Sequence, residues 1–196
     1  MLAFHGKPEL KEFYVNRAIQ HREADEIVQG YGYWKNGKGC AIGCLAHTNT
    51  DTHLKLQEDA GLPMVVSRLA DGIFEGLPKD LAMHWPQRYM EACAVGVDLS
   101  QVGDKFLHWL LVDLIDGIIK FAKNKKSQVA IQHVGDLCAR KLAGEEIIRK
   151  DWRSAADAAA AYAADAAAYA ADADAARKNS RVRQADKLIE LIKSCV

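Results

Sequence analysis

Residues 62–77, LPMVVSRLADGIFEGL, indicate the fold class of this chain. Apolar residues recur there at the three- and four-residue spacing of one helix face, at Val65, Leu69, Ile73 and Phe74. Gly76 closes the pattern just before Pro78, and both residue types are common where helices end. Similar spacing recurs along the chain and no convincing period-two run appears. The sequence therefore predicts an all-α fold, a multi-helix globular domain with a long alanine-rich C-terminal helix.

Helical spacing on both sides of this segment predicts the neighbouring elements. The predicted helices cover residues 8–28, 40–47, 52 onwards, 100–121 and 126–144. Pro86 is expected to kink or divide a helix at Trp85, because proline removes a backbone donor and crowds the preceding turn. The turns between these helices are short, which favours packing of successive helices against each other.

The alanine-rich segment marks a change in composition near the C-terminal end. Residues 154–177, SAADAAAAYAADAAAYAADADAAR, are nearly all alanine, the residue with the highest helix propensity. Tyr162 and Tyr169 stand seven residues apart and would share one face of a helix. We expect a core domain over residues 1–150. Residues 151–196 are expected to form this helix and a short amphipathic one, packed on the core or used for oligomerisation, a homodimer being the simplest case.

Composition and charge exclude several classes of protein. The formal net charge of the 196 residues is zero, so the basic excess typical of nucleic-acid-binding proteins is missing. The most apolar segment, FLHWLLVDLIDGIIKFA, falls short of the roughly 20 apolar residues that a membrane span needs. The first residues, MLAFHGKPELKEF, lack the apolar run of a signal peptide, and the five cysteines are an odd number. We therefore expect a cytoplasmic protein with free thiols and no membrane association.

The loop at residues 31–47, YGYWKNGKGCAIGCLAH, concentrates chemically active residue types. From Gly32 it follows the G-x4-G-K phosphate-binding pattern as far as its lysine, but Gly39 stands where that pattern needs serine or threonine. Glycines still let backbone N–H groups converge, and Lys35 and Lys38 add positive charge. The loop is therefore predicted to bind an anion without belonging to a P-loop hydrolase.

Binding of a small anionic, nucleotide-like ligand at this loop, without catalysis, is the leading functional hypothesis. Trp34 or Trp85 would stack on a planar ring of the ligand. The hypothesis includes neither a metal nor another cofactor. The candidate ligand-binding residues are Trp34, Lys35, Gly37, Lys38, Gly39, Cys40, Cys44, His47, His53, Trp85 and Arg88.

A metal site is one alternative for the same loop. Cys40, Cys44 and His47 would lie along one stripe of a helix, where His53 or His5 could complete a zinc-like set. The spacing is not a standard zinc pattern, however, and no second cysteine pair follows. Two small, buried thiols are therefore the favoured interpretation.

A cysteine-dependent enzyme is a second alternative. Cys40 at a helix N-terminus beside Lys38 could have a lowered pKa, whereas His47 would lie too far along the same helix to act as its base. The histidine would then come from elsewhere in the fold, as one of His5, His53 and His84. A third alternative is a protein-interaction module that acts through the alanine-rich helix.

Three charged residues within residues 62–77 also stand at helical spacing. Arg68 and Asp71 are interpreted as an ion pair on a solvated helix face. Glu75 lies next to a turn and is a candidate for facing a pocket.

Several of these motifs together resemble a family of uncharacterised bacterial and bacteriophage proteins. The resemblance rests on GKGCAIGCLAH, RLADGIFEGLP, VGVDLS and the alanine-rich tail, and covers most of the chain. It implies no activity, cofactor or catalytic residue. It does imply an origin in a phage or mobile element, which favours sequestration of a host signalling nucleotide as one form of the binding hypothesis.

Overall fold

The computed structural model describes residues 1–122, 124–153 and 174–196, with the side chains of the last range described from residue 179. Apart from isolated bridges, the regular secondary structure of these residues is helical, which confirms the all-α prediction. The alanine-rich repeat with Tyr162 and Tyr169 lies outside the described residues. Its predicted roles in packing or oligomerisation stay predictions.

The described residues form α-helices of between six and twenty residues. They are α1 (Pro8–Glu23), α2 (Ala41–Ala46), α3 (Thr52–Ala60), α4 (Met64–Phe74), α5 (Lys79–Ala92), α6 (Val102–Val112), α7 (Lys125–Leu142) and α8 (Asp174–Lys193), with short 3-10 helices at Ala3–Gly6 and Ile118–Phe121. The chain divides into two compact units, residues 1–102 with 181–196, and residues 103–180. The boundary predicted near residue 150 stays a prediction.

Helix α4 buries a slightly different stripe from the predicted one. Val66, Ala70, Ile73 and Phe74 are buried, whereas Val65 is 48% exposed. Ser67 also lies in this buried face, where its hydroxyl is 3.3 Å from the Tyr89 hydroxyl of α5. The buried face therefore includes a polar residue that an apolar pattern could not identify.

Helix α6 is shorter than predicted. It ends at Val112 instead of continuing through Phe121. The Asp113 carboxylate accepts hydrogen bonds from the N–H groups of Ile115 and Asp116, at 2.9 and 2.8 Å, which offers the backbone an alternative to the helix. No helix in the described ranges is long and apolar enough to cross a membrane.

Helix α5 continues through Pro86, so the predicted division of the helix is wrong, whereas the alternative of a kink at Trp85 stays a prediction. Trp85 is 1% exposed, and its indole N–H donates to the carbonyl of Ala70 on α4, at 2.8 Å. Pro86 is itself buried in this face of the helix. Packing against α4 holds the helix together where the local signal predicts an interruption.

The last part of α8 belongs to the first unit. Leu188 and Ile192 are fully buried there, as the amphipathic pattern predicts. Arg88 of α5 forms an ion pair with Asp186 of α8, with 2.7 Å between Nη2 and Oδ1. Residues 181–196 are thus an integral part of the first core.

Candidate functional site

Helix α2 occupies the centre of the first unit, against α1, α3, α4 and α5. All six of its residues are buried. The Cys40 thiol caps its first turn by accepting the N–H of Gly43, at 3.4 Å. His47 ends the helix in a left-handed conformation, with φ 52° and ψ 41°. The short helix predicted at residues 40–47 is therefore confirmed.

Two glycines allow the preceding loop to lie against α2. A Cβ atom on Gly39 would lie 2.5 Å from the carbonyl oxygen of Tyr33, and one on Gly43 would lie 2.6 Å from the Tyr33 carbonyl carbon. Both neighbours are backbone atoms, which cannot move as a flexible side chain can. The two glycines thus let Tyr33 and Trp34 lie close to the buried helix, and the rings of these residues meet His53 and His47, respectively.

The glycine-rich loop uses its own backbone donors. Lys35 and Lys38 exchange N–H···O bonds of 2.8 and 3.1 Å across a tight turn. The Gly39 N–H donates to the Glu26 carbonyl, and the Cys40 N–H donates to the Gly32 carbonyl. These four amides are therefore not directed at a ligand, while anion binding by the rest of the loop stays a prediction. The side chains of Lys35 and Lys38 are exposed, as an anion-binding loop would require.

Cys40 meets two carboxylates from α4. One ligand atom each of Cys40, Asp71 and Glu75 lies within 4.8 Å of the others. Asp71 lies in the last turn of α4 and Glu75 is the residue at its C-terminal cap, so their four-residue spacing puts both carboxylates on one side of the helix. Cys40 is buried, Asp71 is half-buried and Glu75 is exposed. The cluster therefore runs from the core to the surface.

His53 of α3 lies on the inner side of this cluster. Its Nε2 is 3.3 Å from Asp71 Oδ2, and the ring meets Tyr33 edge-on, with 5.5 Å between centroids. Within the described part of the chain, His53 Nε2 and Asp71 Oδ1 are buried without a hydrogen-bond partner. Asp71 thus faces inward to a histidine, whereas the sequence suggested a solvated pair with Arg68.

Negative potential accumulates in the Cys40 cluster. Burial and then the Asp71 carboxylate raise the pKa of the Cys40 thiol well above its ordinary value. Burial also raises the pKa of Glu75, with a smaller contribution from Asp71, while the N–H of Gly30 opposes the shift by donating to Glu75 at 2.7 Å. The site therefore disfavours its own deprotonation and would be stabilised by a positive charge.

Cys44 and His47 face surroundings different from those of Cys40. The Cys44 thiol donates to the Gly39 carbonyl at 3.4 Å, and burial followed by the Glu26 charge raises its pKa to about 12. His47 stacks on Trp34, with 4.4 Å between centroids, and bonds to His21. In the regions that the structure describes, these residues do not join Cys40 in a metal-ligating group.

Two predicted site residues lie elsewhere. Trp85 is buried and hydrogen-bonded, so it has no free ring face for a ligand. Arg88 is exposed and paired with Asp186. Trp85 is therefore not available to stack on a ligand, and Trp34, the other predicted stacking residue, stacks on His47.

The sequence did not connect Asp71 and Glu75 with Cys40, although Glu75 was a candidate for facing a pocket. Asp71 and Glu75 were visible as carboxylates four residues apart, but their proximity to Cys40 depends on the packing of α4 against α2. His21 and Glu26 belong to no motif that the sequence shows. Comparison of the chain with protein-family models, curated proteins and solved structures gives no match, so the resemblance to a phage-associated family stays an expectation.

Proposed function

We propose that the chain binds a divalent transition-metal ion of the zinc type through Cys40, Asp71 and Glu75, and binds a small anionic molecule at that ion. The observation that carries the proposal is the convergence of three donor atoms within 4.8 Å from two different helices. Thiolate sulfur and carboxylate oxygen are both established zinc ligands, with bonds of about 2.3 and about 2.0–2.2 Å. A small contraction of the cluster would bring all three donors to those distances.

The electrostatics of the cluster support a cation. Cys40 and Glu75 both have raised pKa values, in each case partly because of Asp71. A divalent ion would reverse this situation, since a coordinating thiol is deprotonated and its proton is released to solvent. The buried Asp71 Oδ1 would also gain a partner. Metal binding would thus replace mutual repulsion by attraction to one central charge.

Three protein donors leave room for a further ligand. Zinc sites that act on molecules from solution commonly have three protein ligands and one open position, whereas structural sites are closed by four. Glu75 is exposed, so the open position would face solvent. A carboxylate or phosphate oxygen is a suitable ligand there. The proposal therefore retains the predicted anionic ligand, but the metal binds it instead of the loop backbone. The N–H groups of Lys35, Lys38, Gly39 and Cys40 already donate to backbone carbonyls.

Isothermal titration of the purified chain with Zn²⁺ after treatment with a chelator tests the proposal. We expect one ion per chain, and an affinity at least about tenfold lower for Asp71→Asn, which keeps the shape of the side chain. Asp80→Asn is the matched control, because Asp80 lies in the first turn of α5, outside the cluster. Absence of stoichiometric binding, or equal affinity of wild type and Asp71→Asn, would overturn the proposal.

The anionic ligand needs a separate measurement. Inorganic phosphate and acetate should displace metal-bound water, which shifts the visible absorption of a Co²⁺-substituted protein. A Co²⁺ spectrum that neither anion changes would remove the ligand part and leave metal binding intact. Lys38→Ala tests the loop hypothesis in the same assay, since that hypothesis alone requires this side chain.

A cysteine-dependent enzyme is supported less well. The structure does bring a histidine towards Cys40, because His53 pairs with Asp71 and Asp71 neighbours the thiol. Nucleophilic cysteines, however, have lowered pKa values, whereas burial raises that of Cys40. The thiol is thus better suited to a ligand whose proton is displaced by a metal.

A further inference from the structure

A second group of polar side chains lies at the opposite end of α2 and takes no part in the proposed metal site. The Glu26 Oε2 atom is 2.5 Å from Nδ1 of His21, and Nε2 of His21 is 2.6 Å from Nε2 of His47. Glu26 follows α1, His21 lies in its last turn, and His47 caps α2. The three side chains form a continuous chain from carboxylate to imidazole to imidazole.

The geometry of the two rings favours a shared proton over a shared metal. The ring centroids are 4.8 Å apart and the two Nε2 atoms are 2.6 Å apart. The difference is about one ring diameter, which is the value expected when both nitrogens lie between the two centroids. Both nitrogens therefore lie close to the line that joins the rings, and their in-plane lone pairs point at each other. A proton on one nitrogen can bridge such a pair. A metal would instead need the two lone-pair directions to converge at an angle.

The surroundings differ for the two histidines. His21 is only 7% exposed, whereas His47 is partly covered but reaches the surface. Trp34 covers one face of His47, with 15° between the ring planes. The Arg17 guanidinium lies near and donates to the Leu45 carbonyl at 2.6 Å. The Nδ1 atom of His47 has no hydrogen-bond partner among the described residues. It is therefore the end of the hydrogen-bonded series Glu26–His21–His47 that a solute can reach.

We propose that His47 is an acid–base residue, the outer member of a Glu26–His21–His47 proton relay that serves a substrate bearing an ionisable hydroxyl group or a bound water. Its Nδ1 accepts the proton from oxygen. The Nε2 proton of His47 passes at the same time to Nε2 of His21, whose Nδ1–H stays on the Glu26 carboxylate. The oxygen keeps the electron pair of the broken O–H bond, and the added charge rests on His21 beside Glu26.

The charges around His47 explain why a relay is needed. Burial, then Arg17 and His21, lower the pKa of His47 to about 4, while Glu26 opposes the shift. His47 alone is therefore neutral but weakly basic near neutral pH. Transfer of the proton to His21 places it next to a carboxylate, which stabilises the imidazolium form. The relay depends on no metal and is independent of the Cys40 cluster.

Nitrogen NMR of the wild-type imidazoles tests the arrangement of protons directly. At neutral pH we expect His47 to carry its proton on Nε2 and His21 to carry its proton on Nδ1. A His47 with the proton on Nδ1 would overturn the proposal, since that nitrogen could not accept another. This measurement uses the unmodified chain and does not depend on any variant folding.

Titration of a variant gives the second test. Glu26→Gln keeps the size of the side chain but removes the charge. The pKa of His47 should then fall further below its ordinary value, because the Glu26 charge that raises it is removed. Glu23→Gln is the control, because Glu23 is exposed in the same last turn of α1. Equal shifts in the two variants would contradict the relay.

Hydrolysis of p-nitrophenyl acetate provides a readout that a merely structural role would not change. We expect His47→Asn and Glu26→Gln each to lose about tenfold of the protein-dependent rate. Asparagine is chosen because it tolerates the left-handed backbone of residue 47. Glu23→Gln should hydrolyse the ester as fast as the wild type. A His47→Asn protein with the wild-type rate would exclude His47 as the base.

Discussion

His53 of α3 lies against Asp71 of α4, with 3.3 Å between Nε2 and Oδ2. This contact involves one oxygen of Asp71, while the other oxygen is buried and has no hydrogen-bond partner among the residues that the structure describes. A histidine in this position can orient a carboxylate ligand towards a metal, as partners outside the first coordination shell commonly do. His53 is therefore interpreted as a positioning residue for the Cys40 cluster.

Replacement of His53 tests this role. His53→Gln should lower Zn²⁺ affinity by about 10–100-fold, because Asp71 loses its orienting partner while all three ligands remain. Isothermal titration measures the change, and His5→Gln is the control, since His5 bonds to a backbone carbonyl of Glu58 instead. Unchanged affinity in His53→Gln would show that Asp71 does not depend on this pair.

Thiol reactivity distinguishes a metal ligand from a nucleophile at Cys40. Because burial and Asp71 raise its pKa, metal-free Cys40 should react with iodoacetamide far more slowly at pH 8 than the half-buried Cys195. Mass spectrometry of the peptides after timed alkylation measures both residues in one sample. Faster labelling of Cys40 than of Cys195 would instead favour the cysteine-dependent enzyme.

The sequence predicted local features of this region better than its tertiary contacts. The helix at 40–47 was predictable because glycines and polar residues bound a short apolar run, and its ends depend on neighbouring residues only. The approach of Asp71 to Cys40 depends instead on two helices that are packed face to face. The engaged amides of Lys35 and Lys38 show the same limit, since a glycine-rich pattern does not specify where its N–H groups point.

Close packing around α2 gives a prediction about stability. Gly43→Ala should lower the free energy of unfolding by about 1–3 kcal/mol, because the added methyl group would meet the Tyr33 backbone at 2.6 Å. Gly72→Ala, within α4, is the control: a Cβ atom there would have no atom within 4 Å, and alanine should stabilise the helix by about 0.5–1 kcal/mol. Urea denaturation of the two variants should give changes of opposite sign.

Acidification should destabilise the fold through His47. Its native pKa is lowered from 6.5 to about 4, so the unfolded chain binds more protons between these values. The stability that the fold has while His47 is neutral is therefore complete above about pH 6.5 and is lost as the pH falls towards 4. Urea denaturation from pH 7.5 to 4.5 should therefore show a smaller acid-induced loss in His47→Asn than in wild type. His133→Asn, at an exposed position of α7, should behave like wild type.

The last part of α8 is packed in the first unit, so a deletion that includes it would also disturb the core. Leu188 is fully buried in the first unit, whereas Leu191 on the same helix is only half-buried. Leu188→Ala should therefore reduce the free energy of unfolding by about 2–5 kcal/mol, and Leu191→Ala by clearly less. Equal effects in urea denaturation would mean that residues 181–196 do not complete the core. If the difference is found, removal of residues 153–196 would unfold the first unit at the same time as it removes the alanine-rich segment. Removal of 154–173 alone would then be the better test of a role for that segment in binding a partner.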